Sequence, residues 1–481
     1  MINQQKESIG KKAIKGSAWA FAGQFSNIIV SFSVNLILAR LLLPSDYGLI
    51  GMLTIFIALS QTFIDSGFGS ALIQKKSPDI IDYSTIFYWN LIISVSFYAI
   101  LFLCAPLIAE FYNIKELTGI TRSIGLVLIL NALITIQSNI LRKQLRFKAL
   151  SLINIFSSIS GGLIAIIAAY NSYGVYSLVL QPTSAGLISL ILIEIATRWH
   201  PALCFSRERF NKLFHFGGYL FASTLLQRGC QNIINVLIGR SYNATQLGLF
   251  SQAQKFDSIT SHNIPQVLAQ VLFPVFSAMQ DDIRSLGEAL QKSIRIISFL
   301  VFPILIQLII IADPLISLLY GSKWIDCVPY FKILCIGGLF VCLQNISYYA
   351  VAAVGKSKIL FYWSFYKWGI LLLLIFTTIH ISMDAVVWGL TISNINIYLV
   401  NTILASKYAD INLFRLVSNS LIILIAIIPS LLIGVLLMQL GYILISVMAF
   451  WVLYIITAKI LNLRALKESS LAIKKLYLEN D

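Results

Sequence analysis

The sequence predicts an all-α integral membrane protein of about 14 transmembrane helices, arranged as two pseudo-symmetric six-helix bundles followed by a C-terminal helix pair. Three observations predict it. Of 481 residues, 58% are hydrophobic and 11% charged, and the mean hydropathy of +0.84 lies well outside the range of soluble globular chains. Apolar runs of the roughly 20 residues that a helix needs to cross a bilayer follow one another from Ala13 to Leu461. Finally, a stretch near the start recurs near the middle at a constant offset of 200 residues. Asn35 to Arg40, leading through a short hinge into Gly48-Leu49, is matched by Asn235 to Arg240 leading into Gly248-Leu249, and Phe21-Ala22 and Phe56 are matched by Phe221-Ala222 and Phe256. The matches include Arg and Gly at a turn, so two helices and the turn between them are read as occurring twice, and two pseudo-equivalent halves are how many transporters are built. The runs are continuous and do not alternate apolar with polar, which argues against a membrane β-barrel.

Breaking the chain at charged, Pro-containing or Gly-containing turns gives spans at 13–40, 46–73, 83–110, 118–141, 149–171 and 174–197, then 212–240, 244–278, 292–320, 328–354, 358–380 and 383–405, and finally 415–438 and 440–461. The first follows Lys11, Lys12 and Lys15 as a signal peptide would, but it runs on without a small-x-small cleavage site and is read as retained. Cytoplasmic loops collect Lys and Arg. With the N-terminus inside, the inner segments hold 26 cations and the outer ones 5, Arg40, Lys115, Arg122, Arg240 and Lys323. A wrong count would invert that bias partway along, so both termini are placed in the cytoplasm. The expected organisation is a six-helix bundle over 1–198, a cytoplasmic linker over 199–211, a second bundle over 212–405, and two further helices with an amphipathic tail over 406–481. The linker is read as a plain connection, its His200-Pro201 and Arg207-Glu208-Arg209 lying at the membrane surface.

Several chemistries are excluded. The net charge of +15 is spread over short loops rather than gathered on one face, which does not suit a nucleic-acid binder. Cys104, Cys204, Cys230, Cys327, Cys335 and Cys342 show no CxxC spacing and read as small packing residues. His200, His215, His262 and His380 are scattered singly without metal-ligand spacing. No GxxxxGK[ST] loop is present for ATP hydrolysis, and Gly67-Phe-Gly69 lacks the preceding strand of a dinucleotide loop. No stretch between spans is long enough for a soluble domain holding catalytic carboxylates. No catalytic residue, metal or cofactor is expected, and no enzyme activity.

What remains is charge at membrane depth, where one ionised side chain costs on the order of 3 kcal/mol and implies a polar cavity or partner. Arg228 lies twelve residues from Arg240, Lys255 eleven from Ala244 and Lys367 nine from Lys358. At about 1.5 Å per residue, each is roughly 14 to 18 Å from the nearer end of its span. These three are the candidates for a cationic cavity, whose natural ligand is phosphate or pyrophosphate. The alternative is that they pair with Asp65, Asp257 or backbone carbonyls to hold helices together. Gln61 and Asp65 on span 2 are further cavity or coupling candidates, as is Asp257, about 200° round its helix from Lys255 and unable to share its face. Gln227, Gln231, Asn232 and Asn235 surround Arg228 with polar groups, so that face is expected to look inward. Arg40 and Arg240, at the two outer turns, are gate candidates.

Ala39-Arg-Leu-Leu-Leu-Pro-Ser-Asp-Tyr-Gly48-Leu, then Phe63-Ile-Asp-Ser-Gly-Phe-Gly-Ser-Ala-Leu-Ile-Gln74, and Leu141-Arg-Lys-Gln-Leu-Arg146-Phe resemble the signature of polysaccharide exporters of the multidrug/oligosaccharidyl-lipid/polysaccharide (MOP) flippase superfamily. The similarity is to its lipopolysaccharide, colanic-acid and teichuronic-acid exporter branch. It implies a MATE-like flippase fold around a central cavity, alternately open to each membrane face. The implied substrate is undecaprenyl-pyrophosphate-linked oligosaccharide, moved from the cytoplasmic to the outer leaflet of the bacterial inner membrane and driven by an H+ or Na+ gradient or the membrane potential. Membrane lipid, and a polysaccharide polymerase with other assembly proteins, are the partners expected beside the substrate; nucleic acid is not. Two alternatives stand: a cation-coupled multidrug exporter of the same superfamily, which would want carboxylates rather than cations at mid-membrane, and a non-transporting scaffold of a polysaccharide assembly complex.

Overall fold

A computed structural model describes residues 2–65, 68–75 and 77–468. The chain forms two compact units, Met1–Gly248 and Leu249–Asp481. The first contains α1 (Ile2–Leu41), α2 (Pro44–Asp65), the short α3 (Phe68–Gln74), α4 (Ile80–Tyr112), α5 (Leu117–Lys143), α6 (Phe147–Tyr170), α7 (Tyr176–Thr197) and α8 (Arg207–Ser241), and ends in the first turn of α9 (Ala244–Ser258). The second continues through a π-helical turn (Ile259–Asn263) into α10 (Ile264–Ala278), α11 (Ile283–Ile310), α12 (Ala312–Tyr320), a 3-10 turn (Ser322–Cys327), α13 (Val328–Ala353), α14 (Ser357–Thr378), α15 (Met383–Tyr408), α16 (Leu413–Gln439) and α17 (Ile443–Ile460).

The fold is all-α and membrane-embedded, as the composition required. Twelve helices among the described residues are long and apolar enough to cross a membrane. The two remaining spans of the sequence reading, 212–240 and 244–278, are α8, which carries Arg228 with its Gln and Asn neighbours, and the α9–α10 pair, two helices of 15 residues each that are individually short for a crossing. Some runs read as continuous are divided. Span 244–278 is interrupted by the π turn, and 292–320 becomes α11 and α12. Apolar periodicity continues across such breaks because the residues on both sides face the same environment. The amphipathic tail expected to reach residue 481 lies outside the described residues beyond Glu468; residues 464–468 are helical.

In the first unit α1 packs on α6, α6 on α7, α7 on α5, α5 on α4, and α2 on α8. Large apolar side chains such as Leu103, Leu107 and Ile195 remain 74%, 64% and 65% exposed, as suits a surface facing lipid. With lipid outside, little hydrophobic gain is left for joining helices, so small residues and close approach hold them. Helix ends follow local chemistry. Asp79 and Asp82 form a reciprocal capping box at the start of α4, and Asn113 closes that helix in the left-handed region at φ 57°. In the second unit α13 is the central element, packed against α10, α11 and α15, while α16 and α17 pack on each other.

The half-repeat recurs in the backbone bond that ends the first helix of each copy. Leu42 N–H donates to Leu38 O at 2.8 Å, and Tyr242 N–H to Ile238 O at 2.9 Å, so both helices end at positions related by the 200-residue offset. At the start of α2 the Leu43 N–H donates to the Asp46 carboxylate at 2.8 Å, while at the start of α9 the Gln246 N–H donates to the Asn243 side chain at 2.8 Å. Equivalent turns are thus capped by different residues.

Candidate functional site

The two repeated turns meet. A Cβ on Gly48 would stand 1.7 Å from the carbonyl oxygen of Ala244, and a Cβ on Gly248 would stand 1.7 Å from that of Pro44. Pro44 and Ala244 are themselves equivalent under the offset, so the first turns of α2 and α9 cross backbone to backbone about a local pseudo-twofold. Only glycine allows this approach. In the sequence these glycines mark only the repeated turn. That they touch each other is a fact of the fold.

Below the crossing, α2 and α8 share a line of contacts. Asn235 Nδ2 donates to Thr54 Oγ1 at 3.1 Å, and the Phe63 and Phe221 rings meet edge to face at 5.0 Å. Further along α2, Gln61 Nε2 donates to Asp65 at 3.3 Å, and Asn131 Nδ2 on α5 donates to Gln61 Oε1 at 2.9 Å. Arg228 and Arg142 are the cations near enough to act electrostatically on Asp65. The structure therefore brings Gln61, Asp65 and Arg228 into one polar neighbourhood and adds Asn131, which carries no sequence signal because a single Asn in an apolar run has no pattern. Gln227, Arg228, Gln231 and Asp65 are all exposed. Asn232 is held to its own helix by donating to Arg228 O at 2.9 Å. Arg240 lies 5.3 Å from the centre of the Phe111 ring, and Arg40 is exposed at the equivalent turn.

In the second unit Lys255 is exposed, whereas Asp257 is 4% exposed and accepts a hydrogen bond from Ser261 Oγ one turn on. The two occupy different faces of α9, as 200° of rotation requires. Asp257 and Ser261 are pressed against α13 at Gly338, where a Cβ would lie 2.1 Å from Ser261 Oγ and 3.1 Å from Asp257 Oδ1. Lys367, half-buried on α14, has its Nζ 5.0 Å from the Trp368 ring, and its charge reaches His262 in the π turn.

The linker is docked rather than loose. Ala202 N–H donates to Ser84 Oγ at 2.9 Å and Ser206 N–H to Thr85 Oγ1 at 3.1 Å, while Trp199 and Phe210 pack on the Phe68, Phe87 and Trp89 cluster. The fully buried Asp82 pairs with Lys75 at 2.5 Å and with Arg209 at 3.3 Å, and Arg209 also bonds Asp79. That guanidinium holds the Asp79 carboxyl down at about 2. Because the folded-state value is depressed, the contribution of this pair is complete above about pH 4, the ordinary Asp range, and is lost as the pH falls toward 2. Arg209→Glu is expected to release the linker at neutral pH, read as faster proteolysis between residues 199 and 211, and charge exchange with Asp79→Arg is expected to restore part of the protection. Unchanged cleavage of Arg209→Glu would remove the latch from consideration. The reach of Asp79 and Asp82 to Arg209, on another helix, leaves no trace in the sequence.

Comparison with known proteins gives the family. The family described as "Polysaccharide biosynthesis protein" matches residues 37–329. The chain is 28% identical over 418 residues to the teichuronic acid biosynthesis protein TuaB of Bacillus subtilis (strain 168), covering 84% of this chain and 85% of that one. Its fold is similar to that of the lipid II flippase MurJ in an inward closed conformation, with a TM-score of 0.71 at 14% identity over 92% of this chain and 98% of the other. It is also similar to an inward-facing multidrug resistance MATE family transporter of the MOP superfamily, with a TM-score of 0.62 at 13% identity over 80% and 94% of the two chains. With the family match spanning more than half of its length, and with the signature turn at Arg40 to Gly48 inside it, the chain belongs to the polysaccharide biosynthesis protein family and has the fold of MOP-superfamily transporters.

Proposed function

We propose that the chain is a flippase that moves undecaprenyl-pyrophosphate-linked oligosaccharide from the cytoplasmic to the outer leaflet of the bacterial inner membrane by alternating access, for O-antigen, capsule or exopolysaccharide synthesis. The observation that carries this reading is the arrangement along α2 and α8. Two glycines, one on α2 and one on α9, let the repeated turns close tightly at one end, and away from the closure the exposed Arg228 and Asp65 lie in one polar neighbourhood. Exposed charge on a spanning helix belongs to a water-filled or ligand-filled path, because lipid would not tolerate it. The family assignment, a relative named for teichuronic acid biosynthesis and a fold neighbour that flips lipid II support the same reading.

In this mechanism the segments 1–198 and 212–405 are the two moving bodies, and both termini stay in the cytoplasm. The cations Arg228, Lys255 and Lys367 are the candidates to receive the pyrophosphate head group, while the prenyl tail stays in lipid. Charge-assisted hydrogen bonds from these cations offset the cost of bringing the head group to mid-depth. Asp257, buried beside Ser261, is the coupling candidate for an H+ or Na+ gradient, and Arg40 and Arg240 flank the outer gate.

A deletion strain is expected to accumulate lipid-linked oligosaccharide on the cytoplasmic face, cured by this chain. Accumulation on the outer face would instead fit a scaffold acting after translocation, and normal export with lost drug resistance would fit the multidrug exporter.

A further inference from the structure

A second basic site lies wholly within the second unit and takes no part in the mechanism above. A cavity of about 1550 Å³ opens among the ends of α10, α11, α15 and α16 and the turn that follows α17. Six cations line it, Arg284, Lys292 and Arg295 around the start of α11, Lys407 and Arg415 on either side of the α15–α16 turn, and Arg464 after α17, against two carboxylates, Glu288 and Asp410. The abundance of Lys and Arg on this face is what a cytoplasmic surface has. Their convergence from three separate chain segments around one hollow is not explained by that rule, since like charges brought together repel unless an anion neutralises them.

Two of the six already have partners. Arg295 grips Glu468 through two bonds of 2.6 and 3.2 Å, which ties the segment after α17 to the cavity wall, and Arg284 is 3.6 Å from Glu288 on the exposed rim. Lys407 lies 5.9 Å from the Tyr408 ring, on which Lys356 also rests. Lys292, Arg415 and Arg464 are exposed, and no carboxylate among the described residues lies within 4 Å of them. Arginine forks and a lysine ammonium around a polar hollow suit a tetrahedral, multiply charged oxyanion.

We propose that this cavity binds phosphate-bearing anions at the membrane surface, separately from the path containing Arg228. The chemistry is shared by a lipid phosphate head group and a free di- or monophosphate, and the two are told apart by the probe. Purified full-length protein would be titrated with inorganic pyrophosphate by calorimetry and, in parallel, assayed for retained phosphatidylglycerol against phosphatidylcholine by native mass spectrometry. The variant Lys292→Gln/Arg415→Gln/Arg464→Gln is compared with Lys148→Gln/Arg198→Gln/Lys459→Gln, which removes as many cations elsewhere. The single variant Arg415→Gln, an exposed position, serves if the triple does not accumulate. At least tenfold weaker binding of either probe in the cavity variant, with the control unchanged, supports the site; pyrophosphate binding marks a free anion and phosphatidylglycerol retention alone marks a lipid. Failure of wild type to bind either probe, or equal loss in both triple variants, overturns it.

Discussion

Gly48→Ala and Gly248→Ala are each expected to cut export by tenfold or more while the protein still inserts and accumulates. An alanine Cβ at either position would sit 1.7 Å from a backbone carbonyl oxygen, and ordinary van der Waals contact demands that the helices part by about 1.5 Å or more. The obstacle is backbone and cannot rotate away as a side chain would. Overpacking of this kind costs ~1–3 kcal/mol, which shifts a two-state equilibrium by roughly five- to 150-fold. The sign is diagnostic, because Gly→Ala inside a helix with free space normally stabilises by ~0.5–1 kcal/mol. Gly369→Ala, with nothing within 4 Å of the added carbon, is the matched control and is expected to export normally. Spin labels at the exposed Leu43 and Asn243 report the crossing directly. Their distance distribution should move to longer values in both variants, and wild-type distances together with wild-type export would end the gate interpretation.

The second large effect concerns the cations proposed to receive the head group. Arg228→Ala, Lys255→Ala and Lys367→Ala are each expected to lower export on the order of 100-fold, the equivalent of the ~3 kcal/mol attached to one charge at membrane depth. Arg228 carries the clearest expectation, since its loss also leaves Asp65 with one fewer neighbouring cation. Arg228→Lys keeps the charge and loses the fork, so it should recover only part of the activity. Transport of lipid-linked oligosaccharide into the outer leaflet of proteoliposomes gives the measurement. Normal rates in all three alanine variants would show that these cations serve helix packing alone.

Individual residues show where sequence reading stops. Gly48 and Gly248 were visible as a repeated turn because the 200-residue offset is a one-dimensional fact, but a contact between positions 48 and 244 has no one-dimensional trace. Asp257 and Lys255 were separated correctly by helical rotation alone, while the burial of Asp257 against Gly338 depends on which neighbour lies on that side. Asn131 and Thr54 gave no signal at all, since one polar residue in an apolar run matters only through its partner. The linker looked plain because its anchors, Ser84 and Thr85, belong to another helix.

The sequence by itself determined that this is a helical membrane protein with a repeated two-helix unit, and it singled out Arg228, Lys255 and Lys367 as cations within long, largely apolar runs. Those properties follow from hydropathy, length and period, all of which act locally along the chain. Only the tertiary structure decided that the repeated turns cross at two glycines, that Arg228 shares its surroundings with Asp65, and that six cations from three segments surround one cavity. In a bilayer the apolar faces of different helices are nearly interchangeable to the lipid, so helix partners are chosen by small residues and polar contacts distant in sequence.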